Sequence, residues 1–154
     1  MGLFLLVRVR PWGAGDSLIL FGFLDPLHEK QMSRAIGGWD RFKVSLGTAE
    51  GLAYLHHECL EWVIHCDVKP EKVLLDSDLE PKIADFGLAK LLQRGNNVNS
   101  DFSKIWSTKG YMAPERSLNL PITAKVDVFS YLVMVLEMVR GSSMVSSWAN
   151  NEST

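Results

Sequence analysis

The stretch from 123 to 140 constrains the fold of this chain more than any other part of its sequence. Apolar side chains cover every face of the helix that this stretch would form: Val126, Val128, Phe129, Tyr131, Leu132, Val133, Met134, Val135, Leu136, Met138 and Val139. A helix that is apolar on all sides is buried on all sides. Asp127 lies inside it, and a buried carboxylate needs hydrogen-bond donors. The sequence therefore predicts a core helix onto which a polar group docks.

Length, charge and hydropathy exclude several classes of protein. The 154 residues suit one domain, and 47% hydrophobic with 22% charged residues argues against a disordered chain or a coiled coil. A net charge of −2 provides no strong field for nucleic acid or an anionic membrane surface. No apolar run approaches the about 20 residues of a transmembrane helix. The two cysteines lack CxxC spacing, which fits a reducing compartment, so we expect a soluble, cytoplasmic chain.

Short apolar runs separated by turn signals predict strands. Leu3–Val7 and Leu18–Leu24 are two such runs, and each is consistent with a buried strand. Further along the chain, Val73–Leu75 and Lys82–Ala84 flank the turn signal at 76–78, Asp-Ser-Asp. This second pair predicts a small β hairpin.

A second amphipathic pattern predicts a helix over 40–58, where apolar residues recur at alternating spacings of four and three. Asp40 suits the N-cap of that helix. Gly47 costs about 1 kcal/mol relative to alanine inside a helix, which indicates that another backbone packs closely there. The polar, asparagine-rich stretch 91–110 predicts a long loop, and long loops in compact domains often carry function.

Three short motifs stand in a fixed order along the chain. They are His65-Cys66-Asp67-Val68-Lys69-Pro70-Glu71-Lys72, then Asp85-Phe86-Gly87, then Ala113-Pro114-Glu115. In this order they resemble the catalytic loop, the metal-binding DFG motif and the APE motif of a protein kinase. The wider wording at 64–70 and 110–115 is similar to plant receptor-like serine/threonine kinases of the S-domain, or lectin-type, group.

The resemblance implies an α+β fold: the C-terminal lobe of a protein kinase, mainly helical, with a small β hairpin beside the active-site loop. Residues 39–141 would then be a partial kinase domain. Residues 1–38 carry neither a G-x-G-x-x-G-x-V loop nor a V-A-I-K lysine, so we interpret them as a divergent segment and the N-terminal lobe as largely missing. Residues 142–154 form a polar tail by composition.

The resemblance also implies roles for the charged residues of the motifs. Asp67 would accept the proton of the substrate hydroxyl, and Lys69 would steady the transferred phosphate of ATP, as a catalytic and nucleotide-binding residue. Asp85 would bind the nucleotide through Mg²⁺, as a hard oxygen ligand. Lys69 lies two residues past Asp67, which matches the serine/threonine-specific type. ATP, Mg²⁺ and a protein substrate are the implied cofactors and partners.

Four further residues receive supporting roles from the resemblance. Thr108 and Gly110 would belong to the shelf that receives the peptide substrate. Asp127 would brace the backbone of the catalytic loop, which supplies the donors that a buried carboxylate needs. Glu115 would be a structural residue whose arginine partner lies in a part of the lobe that this sequence lacks.

Two departures from the family pattern affect the chemistry. Lys72 stands where relatives carry the second Mg²⁺-binding asparagine, and an ammonium group cannot ligate a cation. Two positive unit charges about 4 Å apart repel each other by about 4 kcal/mol at an effective dielectric of ~20. Because the ammonium group of Lys72 would repel Mg²⁺ in this way, we predict that the second metal site is lost. Cys66 replaces the arginine before the catalytic aspartate, so no guanidinium at that position awaits a phosphorylated loop residue.

Three readings of function follow from these residues. The first is a serine/threonine kinase that is weak or inactive as this chain. The second is a pseudokinase-like binding fragment that associates with full-length receptor-like kinases, and the third is a non-functional truncated gene product. A zinc cluster is a further alternative for the ligand-type residues His56, His57, Cys59, His65 and Cys66, although their spacing does not give two ligand pairs.

Overall fold

The computed structural model describes the backbone of residues 5–7 and 19–21, and residues 37–92, 110–118 and 120–141. In chain order the helices and strands are β1 (Leu5–Val7), β2 (Ile19–Phe21), α1 (Gly38–Ala53), a π-helical turn (Tyr54–Glu58), β3 (Trp62–Ile64), a 3₁₀ turn (Pro70–Lys72), β4 (Val73–Leu75), β5 (Pro81–Ile83), β6 (Lys90–Leu92), α2 (Pro114–Ser117) and α3 (Lys125–Arg140). The described part is therefore α+β, as predicted, with α1 and α3 as its long helices.

Two antiparallel sheets frame the catalytic-loop sequence. The larger sheet has the order β2-β1-β5-β4, and the smaller one pairs β3 with β6. The predicted hairpin is β4–β5, in register from Val73 opposite Ile83 to Leu75 opposite Pro81, and the two early apolar runs form β1 and β2. β1 joins the hairpin through Val7 and Ile83. The hairpin and the two early strands are thus confirmed.

Helix α1 begins earlier than the sequence predicts. Its N-cap is Gly37, and Asp40 lies in the first turn, so the expectation that Asp40 caps the helix is wrong. An acidic side chain there still complements the positive end of the helix dipole. Beyond Ala53 the backbone continues as the π-helical turn to Glu58, so the predicted helical structure over 40–58 is confirmed.

Gly47 lets α1 pack directly on the hairpin. A Cβ at this position would lie 2.6 Å from Cγ of Pro81 on β5. The close approach that Gly47 indicated is therefore present, against the ring of a proline at the start of a strand. This contact seats the hairpin on α1.

Helix α3 is buried on one face within the described part of the chain. That face contributes Val126, Val133 and Met134 to the core, together with the buried polar residues Asp127, Ser130 and Glu137. The opposite face is exposed and carries Val128, Phe129, Leu132, Leu136 and Val139. The expectation of burial on all sides is wrong for the described residues, since α3 lies at the edge of their core. None of the helices in the described ranges combines the length and hydropathy needed to traverse a bilayer.

Several predictions fall outside the described residues. These are residues 93–109 of the predicted loop with Thr108, the tail 142–154, and most of 1–38. The loop predicted over 91–110 is wrong at its start, because residues 91 and 92 pair with β3 as part of β6. The proposed boundaries of the partial kinase domain at 39 and 141 stay predictions.

Candidate active site

The backbone around Asp67 is held by the buried carboxylate of Asp127. Asp127 is 0% exposed and accepts three hydrogen bonds: from the His65 amide at 2.7 Å, the Cys66 amide at 2.7 Å and His56 Nε2 at 2.8 Å. Both carboxylate oxygens are therefore satisfied in a place that water does not reach. The polar group that docks on α3 is the catalytic-loop backbone, with His56 beside it.

His65 connects this loop to the Asp85 turn. Its Nε2 donates to the Ala84 carbonyl at 3.0 Å, while its Nδ1 accepts the amide of Asp67 at 3.2 Å. Burial lowers the pKa of His65 below its ordinary value. One ring nitrogen donates and the other accepts, so the ring is the neutral tautomer that carries hydrogen on Nε2. The ring also lies 4.8 Å, centroid to centroid, from Phe86.

Asp67 and Lys69 lie side by side at the end of this braced loop. Lys69 Nζ is 3.2 Å from Asp67 Oδ2, and their side chains are 17% and 11% exposed, respectively. A carboxylate can take a proton from a hydroxyl group, and an ammonium group can hold a phosphate oxygen. The structure thus places these two predicted residues in one partly open ion pair.

Asp85 follows β5 in a left-handed backbone conformation, with φ of 62°. Lys72 Nζ contacts its Oδ2, and the Gly87 amide donates to its Oδ1 at 3.3 Å. The 3₁₀ turn ends at Lys72, whose carbonyl accepts a hydrogen bond from the Ala84 amide at 2.9 Å. Because Ala84 directly precedes Asp85, this hydrogen bond keeps Lys72 close to Asp85. The hydrogen bond from Lys72 holds the pKa of Asp85 below its usual range.

These residues do not fit Mg²⁺. One oxygen of Asp85 is paired with an ammonium group, which repels a dication and cannot ligate it. The Asp85 site therefore carries a protein cation where the DFG resemblance implies a metal.

The segment predicted to form the substrate shelf is described only in part. Gly110 has φ of 98°, a conformation that glycine adopts without strain. Tyr111 follows it into the core, where its hydroxyl donates to Glu137 and its carbonyl accepts Ser130 Oγ at 2.6 Å. Glu115 is partly buried in α2, and no ion pair joins it to another residue of the described ranges.

Two residues of the site were missed by sequence reasoning. His56 was predicted only as a member of the apolar spacing of the 40–58 helix and as an alternative zinc ligand, yet it donates to Asp127. Arg116 received no role, yet its guanidinium donates to the Cys66 carbonyl next to Asp67. The apolar spacing that His56 shares would not have placed it in the core, because Phe42, Leu46 and Ala53 on that spacing are exposed. His56 is buried within the π-helical turn instead. No local pattern would have found the Arg116 contact, since 50 residues separate the partners.

Comparison with known proteins shows the family to which this chain belongs. The family described as protein kinase domain matches residues 22–154. The chain belongs to the protein kinase family. The kinase-lobe resemblance drawn from the three motifs is confirmed, as is the α+β class that it implied.

Named relatives are plant receptor kinases. ZmPK1 of Zea mays, named as a receptor protein kinase, is 62% identical over 105 residues, which is 68% of this chain and 13% of the relative. A G-type lectin S-receptor-like serine/threonine-protein kinase of Arabidopsis thaliana is 49% identical over 142 residues, 89% of this chain and 16% of that relative. The kinase chain thus spans less than a fifth of the length of these relatives.

Proposed function

We propose that this chain carries the phosphoacceptor side of a serine/threonine protein kinase site. Asp67 takes the proton of a substrate serine or threonine hydroxyl, and Lys69 holds the γ-phosphoryl group of ATP. The observation that carries the proposal is the Asp67–Lys69 pair, with Nζ and Oδ2 3.2 Å apart on a loop whose backbone is tied to buried Asp127. Similarity to relatives named serine/threonine kinases supports the choice of hydroxyl.

The chemistry needs positioning more than covalent participation by the protein. The substrate oxygen forms a bond to the γ-phosphorus while the bond from that phosphorus to the ADP oxygen breaks, and the hydroxyl proton passes to Asp67. Asp67 must therefore face the hydroxyl with its carboxylate charged. The positive charge of Lys69 attracts the transferred phosphoryl group.

We also propose that transfer by this chain is weak, because Lys72 holds the metal-ligand position at Asp85. The ammonium group supplies one positive charge where a metal ion would supply two. It also pairs with the Asp85 side chain, whose oxygens would be the metal ligands.

We place this activity in the cytoplasm, and the free thiols of Cys59 and Cys66 support a reducing compartment.

A phosphate-transfer assay on the purified chain tests the proposal. Radiolabelled ATP and a serine/threonine peptide mixture are supplied with Mg²⁺ or with EDTA, and Asp67→Asn is compared with wild type. Loss of a general base costs about 10²–10⁴-fold, so we expect incorporation by the variant to fall by at least about 10². Asp78→Asn, which alters an exposed carboxylate in the hairpin turn, serves as the matched control.

Two results of that assay would count against the proposal. Incorporation that is equal in wild type and Asp67→Asn would refute it. The Lys72→Asn variant tests the metal part separately, because it removes the ammonium group and offers an amide oxygen beside Asp85. We expect Lys72→Asn to transfer more phosphate with Mg²⁺ than wild type does, and no gain would refute the role given to Lys72.

The exposed apolar face of α3 supports a second candidate, a binding module for the kinase domain of a full-length receptor-like kinase. Five large apolar side chains lie on this face (Val128, Phe129, Leu132, Leu136 and Val139), which is more than scattered exposure usually provides. A pull-down with such a kinase domain should show saturable binding that Leu132→Glu weakens and Leu60→Glu, at an exposed apolar position outside α3, leaves unchanged. Absence of binding would remove this candidate.

A further inference from the structure

The peptide unit between Cys66 and Asp67 is held at both of its polar ends. Its N–H, from Asp67, donates to Nδ1 of His65 at 3.2 Å. Its carbonyl, from Cys66, accepts a hydrogen bond from Nη1 of Arg116. Because a peptide unit is planar, fixing both groups fixes the position of the Asp67 Cα, and this limits where the Asp67 side chain can lie.

The loop needs such restraint at this point. Cys66 has φ of 66°, in the left-handed region that residues with a Cβ rarely adopt. Such a conformation persists only when the surroundings hold it. Asp127 holds the amide of Cys66 from the core side, and Arg116 holds its carbonyl from the other side.

Arg116 is anchored well enough to act as a restraint. It lies in α2, and its amide donates to the Ala113 carbonyl at 3.0 Å. Ala113 is buried in the same apolar cluster as Cys66, Ile64 and Val126. The segment that follows the substrate shelf and the loop that carries Asp67 therefore share one core, and the guanidinium crosses between them.

We infer that Arg116 is a positioning residue for Asp67, which ties the segment after the substrate shelf to the catalytic loop through the Cys66 carbonyl. Cys66 itself brings no charge to this loop, and its side chain points into the core. The guanidinium of Arg116 reaches the loop from α2 instead. Its acceptor is a backbone carbonyl, which needs no phosphorylation to be present. The consequence for phosphate transfer rests on the function proposed above, whereas the structural restraint does not.

Alkylation of the two cysteines measures the restraint without any need for catalysis. Cys66 is buried and Cys59 is partly exposed, so the ratio of their labelling rates reports opening of the catalytic loop relative to the rest of the chain. Burial raises the pKa of the Cys66 thiol to about 11, which keeps its reaction slow in the closed loop. Arg116 electrostatically lowers the pKa of that thiol, so losing its charge would by itself slow labelling. Faster labelling therefore reports opening.

The test compares wild type with Arg116→Ala, Arg116→Lys and Arg41→Ala under native conditions, with iodoacetamide and peptide mass spectrometry. Arg41→Ala is the matched control, since Arg41 Nη1 also donates to a backbone carbonyl, that of Met138, at 2.9 Å and away from the loop. We expect the Cys66-to-Cys59 rate ratio to rise about tenfold or more in Arg116→Ala, as for loss of a hydrogen bond from a charged donor. It should rise less in Arg116→Lys, which keeps a donor, and stay unchanged in Arg41→Ala.

Three results would overturn the inference: an unchanged ratio in Arg116→Ala, an equal rise in Arg41→Ala, or a rise in Arg116→Lys as large as in Arg116→Ala. If Arg116→Ala does not fold, Arg116→Lys is compared with wild type, and a rise of about threefold is expected because one ammonium group replaces the planar fork of a guanidinium. An unchanged ratio there also overturns the inference. A raised ratio in a chain that transfers no phosphate leaves the restraint standing and refutes the proposed function alone.

Discussion

The two aspartates of the candidate active site are held in opposite ways. Asp67 follows a left-handed residue, Cys66, whose amide is bound by the fully buried Asp127. Asp85 is itself left-handed, but its main partner is Lys72, in a pair whose carboxylate side chain is 37% exposed. The backbone before Asp67 is held by a buried network, whereas the side chain of Asp85 is held mainly by an ion pair near the surface.

We therefore expect the two sets of contacts to affect different properties: the Asp127 network the folding stability, and the Lys72–Asp85 pair the charge at the site. Buried donors have no water to replace a lost acceptor, so the Asp127 network is expected to dominate the folding free energy of the site. An ion pair near the surface contributes little to stability because water and salt screen it. Its effect is on the charge that a phosphate or a metal ion would meet at Asp85.

Removing the buried carboxylate should have the largest effect. Asp127→Ala leaves the amides of His65 and Cys66, and His56, without their acceptor, so we expect a loss of about 3–5 kcal/mol in the free energy of unfolding. Urea denaturation measures it, with Asp78→Ala, at an exposed site, expected within about 0.5 kcal/mol of wild type. A loss below about 1 kcal/mol in Asp127→Ala would erase the proposed contrast between the two loops.

A smaller effect should come from the packing beneath the hairpin that leads to Asp85. Gly47→Ala would put a Cβ 2.6 Å from the ring of Pro81, and overpacking of this kind costs about 1–3 kcal/mol. Alanine gains up to about 1 kcal/mol in helix propensity, so we expect a net destabilisation of about 1 kcal/mol in thermal unfolding. Gly38→Ala in the same helix meets nothing within 4 Å and should be neutral or stabilising. If both variants gain stability, the hairpin does not depend on this contact.

The smallest effect on stability should come from Lys72→Met. At neutral pH we expect a loss of at most about 1 kcal/mol, since the pair is partly exposed. The pKa of Asp85 is lowered in the folded chain, so the contribution of the pair is present above the unfolded pKa of about 4 and is lost as pH falls through the lower folded value. The difference between variant and wild type should therefore be constant from about pH 5 to 7 and shrink below about pH 4.

An NMR titration of the Asp85 carboxyl group sharpens the same comparison. In Lys72→Met its pKa should rise toward the ordinary value for aspartate, because the hydrogen bond from Lys72 is the main cause of the lowered pKa. Lys82→Met is the matched control, since Lys82 pairs with Asp76 at 3.0 Å in the same hairpin and should leave Asp85 unchanged. An unmoved pKa in Lys72→Met would show that the pair does not form in solution.

Local pattern was sufficient for the two long helices, the hairpin, the two early strands and the order of the motifs, but it did not predict β6 or α2. The spacing of apolar residues predicted α1 and α3, and the turn signal at 76–78 predicted the β4–β5 hairpin. It failed where the outcome depended on packing between distant segments. The N-cap moved from Asp40 to Gly37, and α3 is covered on one face within the described residues.

In the candidate active site, too, the residues could be found from the sequence, whereas their contacts could not. Asp67, Lys69, Asp85 and the unusual Lys72 were found by resemblance, because the motif spacing survives in the linear sequence. That Lys72 touches Asp85 depends on the 3₁₀ turn and the adjacent strand, which bring residues 13 apart together. The contacts of Asp127 and Arg116 with the loop span 61 and 50 residues, and no local period encodes such distances.

The sequence by itself determined the kinase family, the helices and hairpin, and the chemical types available at the site, since each depends on neighbouring residues or on motif order. Tertiary structure alone decided which cation lies on Asp85 and which groups hold the peptide before Asp67. The physical reason is that hydrogen bonds and ion pairs act over about 3 Å, and only the folded core brings remote side chains that close.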